Sequence, residues 1–120
     1  MITVSKTADN LNDGIVNMMN GAKDDYIKMS TSGGKELTGY SKDQVDKWEN
    51  LWKVETGKKY IRVVRENGVF CFIVREDSGK FKKGDILKAA GYRAPARNSA
   101  RGNVLTGNYA IQWTGPLYLK

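Results

Sequence analysis

A chain of 120 residues that is 40% hydrophobic and 10% aromatic is long enough to bury a core as a single domain, residues 1–120, and too apolar to stay disordered. With one cysteine and no histidine it lacks the means for an intrachain disulfide, a thiolate metal cluster, Ser-His or Cys-His catalysis, or an ordinary zinc hydrolase site. The net charge is +7, no apolar run approaches the roughly 18 residues of a membrane span, and Met1 to Lys6 lack a leader pattern, so a cytoplasmic protein that makes no use of membrane is expected.

Thr7 can cap a helix from about Ala8 to Asn20, with Leu11, Ile15, Val16, Met18 and Met19 as its apolar stripe and Gly21 as its stop. Tyr26 to Thr31 alternates with the period of a strand and ends at Ser32, Gly33 and Gly34. Ser41 and Gln44 have capping-box spacing, which predicts a second helix carrying Val45, Trp48, Leu51 and Trp52 on one side as a core stripe. Lys59 to Glu66 and Val69 to Glu76 form a hairpin about Asn67-Gly68, a pair that tolerates the positive φ angles of a tight turn. With Glu66 opposite Val69, the residues Ile61, Val63, Phe70, Phe72 and Val74 share one apolar face. The other face, with Tyr60, Arg62, Val64, Cys71, Ile73 and Arg75, is mixed and suits cover by the chain's own segments, solvent or a ligand; Cys71 there is expected as a buried structural thiol. Asp85 to Lys88 and Tyr109 to Trp113 add strands. The expected fold is α+β: an antiparallel sheet built around the central hairpin at about 59–76, with two N-terminal helices packed on one face.

Charge is divided unevenly along the chain. Residues 1–57 carry seven basic and nine acidic side chains, residues 58–120 thirteen and four. Seven cations lie between Lys80 and Arg101 against the single acid Asp85. Such a density suits phosphates, because guanidinium forks match phosphate oxygens and neutralised phosphates release counterions. Pro95 to Gly102 reads as a short helical turn that would project Arg97 and Arg101 from one side, with Arg93 just before it. Lys82, Lys83 and Lys88 add charge, while Asn98 and Asn103 can either touch a base edge or hold a turn. Tyr92, Tyr109, Trp113 and Tyr118 interleave aromatic rings that can stack on bases or pack in the core. The candidate ligand-binding set is therefore Arg93, Arg97, Arg101, Lys88, Asn98, Asn103, Tyr92, Lys82 and Lys83, with no catalytic or metal-binding residue and no cofactor.

GDILKAA at Gly84 to Ala90, APAR at Ala94 to Arg97, RGN at Arg101 to Asn103 and GPLYL at Gly115 to Leu119 follow the KYIRVV and CFIV strands. This series resembles a C-terminal pattern of small uncharacterised tailed-phage proteins over roughly Lys59 to Lys120. The resemblance implies a phage origin, a host-cell cytoplasmic location and no particular mechanism. In that pattern a lysine-histidine pair commonly follows APA, where this chain has Arg97 and Asn98, so a role for such a histidine does not transfer.

Three functions fit these residues. The leading expectation is a non-enzymatic protein binding nucleic acid through the basic segment. The second is capture of a nucleotide or cyclic oligonucleotide in a pocket, and the third is inhibition of a host protein by direct binding. An enzyme is the least favoured class, since no carboxylate cluster accompanies the cations. The mixed hairpin face also leaves room for a homo-oligomer.

Overall fold

The computed structural model, which describes residues 1–117, is an α+β protein with two antiparallel sheets. Its elements run β1 (Ile2–Val4), α1 (Leu11–Ser30), a 3-10 turn (Ser32–Gly34), α2 (Gly39–Asp46), α3 (Trp48–Leu51), β2 (Trp52–Thr56), β3 (Tyr60–Arg65), β4 (Gly68–Val74), β5 (Ile86–Leu87) and β6 (Tyr109–Ile111). The larger sheet has the order β2-β3-β4-β5, and β1 pairs with β6 in a separate ribbon. Among the described residues no helix is long and apolar enough to cross a membrane.

Helix α1 corrects the expected first helix and the strand after it. Asn10, not Thr7, is the cap, its side chain accepting from Asp13 N at 2.8 Å. The helix continues through Gly21 to Ser30, replacing the expected strand at Tyr26 to Thr31. Ile15, Met18, Met19, Ala22 and Tyr26 are all buried at helical spacing, and this stripe outweighs the roughly 1 kcal/mol that a helical glycine costs. Gly21 is a contact point, since a methyl group there would lie 2.5 Å from Val4 Cγ2.

The second helix, by contrast, is shorter than the spacing predicts. Thr38 stands at the N-cap position of α2 without a side-chain bond, and Ser41 falls inside the first turn. Gln44 is buried and accepts from Arg65 Nη2 at 3.2 Å, so the expected capping box does not form. The helix breaks at Lys47, and the short α3 that follows ends at Leu51, which separates the two tryptophans. Trp48 is fully buried and donates its indole N–H to Met19 O at 3.0 Å, whereas Trp52 opens β2.

The hairpin is present with a different register. Gly68 pairs with Arg65, so Glu66 and Asn67 make the turn and Glu66 takes the positive φ of 57°. Ile61 faces Ile73 and Val63 faces Cys71, one residue away from the expected pairing, with a bulge after Val63. A slip of one residue moves a side chain to the other face. Ile61, Val63, Cys71 and Ile73 therefore point at α1, where Cys71 Sγ lies 3.8 Å from Met18 Sδ. Phe72 and Val74 point away from it, into a second cluster with Phe81 and Leu87, flanked by Tyr60, Ala89 and Ala100. The helices cover one face of the sheet, and the segments 76–83 and 89–100 cover the other.

Pro95 to Gly102 is not helical; it has a bridge at Pro95 and a bend at Asn98. It lies antiparallel to β5, with Ala96 N donating to Lys88 O at 2.7 Å, Arg101 N to Ile86 O at 2.8 Å, and Ile86 N to Gly102 O at 2.8 Å. The open edge of β5 has to satisfy its amides and carbonyls, and this requirement overrides the local proline signal.

Candidate functional site

Arg62 organises the outer layer. It projects from the sheet face opposite α1 and donates Nε–H to Glu55 Oε1 at 2.9 Å. Its Nη1 donates to the Tyr92 carbonyl at 2.9 Å, and its guanidinium carbon stands 4.6 Å from the centre of the Tyr92 ring. The turn at Gly91 to Arg93 is thereby pinned against β3. Arg75 does the same for the β2–β3 turn, donating Nη1–H to Gly57 O at 2.6 Å and reaching Lys58 O at 3.3 Å. The two pinned turns face each other across a cleft of about 150 Å³, where Arg93 meets Lys58, Lys59 and Arg62 above Tyr60 and Phe72. A second cleft of about 230 Å³ shares Lys58, Lys59 and Tyr60 and extends to Phe81, Glu76 and Asp77.

Among the described residues the side-chain pairs are Lys23–Glu49, Lys42–Asp46, Lys47–Asp43, Arg62–Glu55 and Arg65–Glu66. None reaches Lys58, Lys59, Lys80, Lys82, Lys83, Arg93, Arg97 or Arg101. Two of the nearby acids are directed to neutral donors instead: Asp77 accepts from Lys83 N at 2.8 Å, and Asp85 accepts from Lys82 N at 2.8 Å and from the Asn103 side chain at 3.0 Å. Carboxylates used this way shape the turns and leave the ammonium groups of Lys82 and Lys83 facing solvent.

The nine candidate residues divide between several environments. Arg93 joins the cleft, Tyr92 is exposed beside it, and Arg97 is exposed without a hydrogen bond or ion pair among the described residues. Arg101 turns back on its own segment, with Nη1 donating to Asn98 Oδ1 at 3.1 Å and Ser99 O at 3.0 Å, while its buried Nε has no partner. Lys80 Nζ donates to the Asn98 carbonyl. Lys88 Nζ donates to Pro116 O at 2.9 Å, and burial, then the charge of Arg101, hold it below the usual lysine range. Asn103 is a turn residue: it donates to Lys83 O at 2.8 Å and accepts from Leu105 N at 2.8 Å. Arg93 and Arg101 thus serve different local structures.

Of the four aromatic candidates, Tyr109 is buried, and Trp113 packs edge-on to Tyr26 with its backbone N–H held by Asp25 at 2.9 Å. Tyr118 lies outside the described residues. Cys71 is fully buried, and burial pushes its thiol far above the ordinary range. Among the described residues no three His, Cys, Asp or Glu side chains gather as a metal site requires.

Lys58, Lys59 and Arg62, which line the cleft, and Arg75, which holds its β2–β3 turn, are absent from the nine candidates. Their signal was present as a basic pair next to Gly57 and as the arginines on the mixed hairpin face. Their convergence on Arg93 depends on contacts across 18 to 30 residues of chain.

The profile of DUF7717, a family of unknown function, matches residues 4–119, and the chain belongs to that family. No match was found among curated proteins or solved structures.

Proposed function

We propose that this DUF7717 chain is a non-enzymatic nucleic-acid-binding protein that grips the phosphate backbone through its outer basic layer. Arg93, Lys58, Lys59 and Arg97 are the principal contacts, with Lys82 and Lys83 extending the field. The observation that carries this reading is the pairing pattern. Lys23, Lys42 and Lys47 are matched by carboxylates on the same or a neighbouring helix, and the other N-terminal lysines lie in a half that carries nine acids, whereas Lys58, Lys59, Lys80, Lys82, Lys83, Arg93 and Arg97 in the basic half have no carboxylate within 4.0 Å among the described residues. A phosphate chain would supply the missing charge.

Cleft size favours a polymer over an enclosed nucleotide. Ligand pockets that bury a small molecule measure roughly 300 Å³ or more. The cleft at Arg93, of about 150 Å³ and lined by four cations with Glu55, suits a single phosphate of a strand, while the adjoining one of about 230 Å³ sets Glu76 and Asp77 beside Lys58 and Lys59. Binding through such contacts depends little on base sequence and falls steeply with salt.

Arg93 and Arg97 are exposed, so their removal should leave folding intact. The double variant Arg93→Ala, Arg97→Ala is expected to bind a short oligonucleotide about tenfold or more weakly in low salt, since two phosphate contacts are lost. Lys42→Ala with Lys47→Ala removes the same charge from ion-paired positions on α2 and should change little. Equal affinity of wild type and the arginine variant would contradict the proposal.

A further inference from the structure

Tyr92 is 52% exposed, yet its position is fixed. Its carbonyl is held by Arg62 Nη1, and Arg62 is itself oriented by Glu55. One face of its ring lies under the Arg62 guanidinium at 4.6 Å, which leaves the exposure to the opposite face and the rim. A ring held this way loses little further freedom when a second planar group stacks on it. Arg93, the next residue, turns into the basic cleft with Lys58 and Lys59. A stacking platform and a phosphate site are therefore neighbours in the chain, as a base and its phosphate are neighbours along a strand. The cleft is lined by Lys58, Lys59, Arg62 and Arg93 with Glu55, a set of charges that suits a phosphate better than a base, which is left to the ring outside it.

We infer that the nucleic acid bound here is single-stranded, with one base stacked on the open face of Tyr92 while the adjoining phosphates sit at Arg93, Lys58 and Lys59. This rests on the phosphate-backbone proposal and adds a strand class to it. Bases in a duplex are stacked on one another and present only their edges in the grooves, so a duplex meets the cations and not the ring. Stacking tolerates any base, because every base has a π-face. Preference should therefore follow strandedness and not sequence.

The test compares three probes on the full chain at one salt concentration: an oligothymidylate, an abasic sugar-phosphate chain with the same number of phosphates, and a duplex of the same length. The oligothymidylate should bind about fivefold or more tightly than the abasic chain, the scale of one base-aromatic stack. Tyr92→Ala should lower the oligothymidylate to the abasic level and leave the abasic chain and duplex unchanged, and Tyr92→Trp should restore the difference. Tyr40, 71% exposed at the start of α2, provides the control, and Tyr40→Ala should have no effect. Equal binding of the oligothymidylate and the abasic chain, or equal weakening of single strand and duplex by Tyr92→Ala, overturns the inference while the phosphate-backbone proposal stands. Failure of all three probes to bind overturns both.

Discussion

Arg62 makes three contacts with one planar group, holding Glu55 through Nε, the Tyr92 carbonyl through Nη1 and the Tyr92 ring through its face. A lysine could meet one of these demands, but its single ammonium could not meet all three. At the other extreme of burial, Cys71 has no accessible surface and shares the core with Met18. The thiolate is the reactive form, and burial both raises the thiol and hides it. Iodoacetamide at neutral pH should therefore leave Cys71 unlabelled in the native protein and label it fully in urea, as read by mass spectrometry. Rapid labelling of the folded chain would contradict its place in the core. The inert character of this cysteine was legible from its apolar strand. The role of Arg62 was not, because Tyr92 lies thirty residues further on and nothing local links the two.

At the scale of elements, Gly21 shows why a local stop signal failed. It lies on the buried side of α1, where a methyl group would stand 2.5 Å from Val4 Cγ2 and 3.2 Å from Ile111 Cγ2. Alanine gains roughly 1 kcal/mol in helix propensity, but overpacking costs about 1–3 kcal/mol. Gly21→Ala should therefore be net destabilising in urea unfolding, and a stabilised variant would show that β1 and β6 do not press on this helix. The hairpin teaches a related lesson about register. Its two strands were readable from alternation, but Asn67-Gly68 suggested a turn one residue later than the Glu66–Asn67 turn that forms. Both faces of β4 are buried from Phe70 to Val74, so apolar character could not distinguish one register from the other. Trp52 opens the strand Trp52 to Thr56, although its spacing from Trp48 also fits a helix and placed it in the expected stripe of the second helix. Pro95 to Gly102 carried helix-start and helix-stop residues, yet the free edge of β5 drew it into backbone pairing. In each case a long-range partner decided between two locally acceptable conformations.

Across the whole molecule, the two halves of the sequence supply two sides of one sheet. The near-neutral N-terminal half provides the helices that bury Ile61, Val63, Cys71 and Ile73, and Lys23, Lys42 and Lys47 find carboxylates there. The basic half provides the outer layer over Phe72, Val74 and Leu87, where the acids are spent on turns and the cations are left to solvent. The location of the excess charge was legible from composition alone. Its assembly into a cleft was not, since Lys58 and Lys59 reach Arg93 only through the β2–β3 turn and the Arg62 clamp. The central claim is that these unmatched cations hold a phosphate backbone. Its most direct test is the affinity for a single-stranded oligonucleotide measured across a range of salt concentrations. Four phosphates neutralised by Arg93, Arg97, Lys58 and Lys59 give a slope of log affinity against log salt of about −3, and Arg93→Ala with Arg97→Ala should bring it to about −1.5. A slope near zero, or a slope unchanged by the loss of both arginines, would contradict the account.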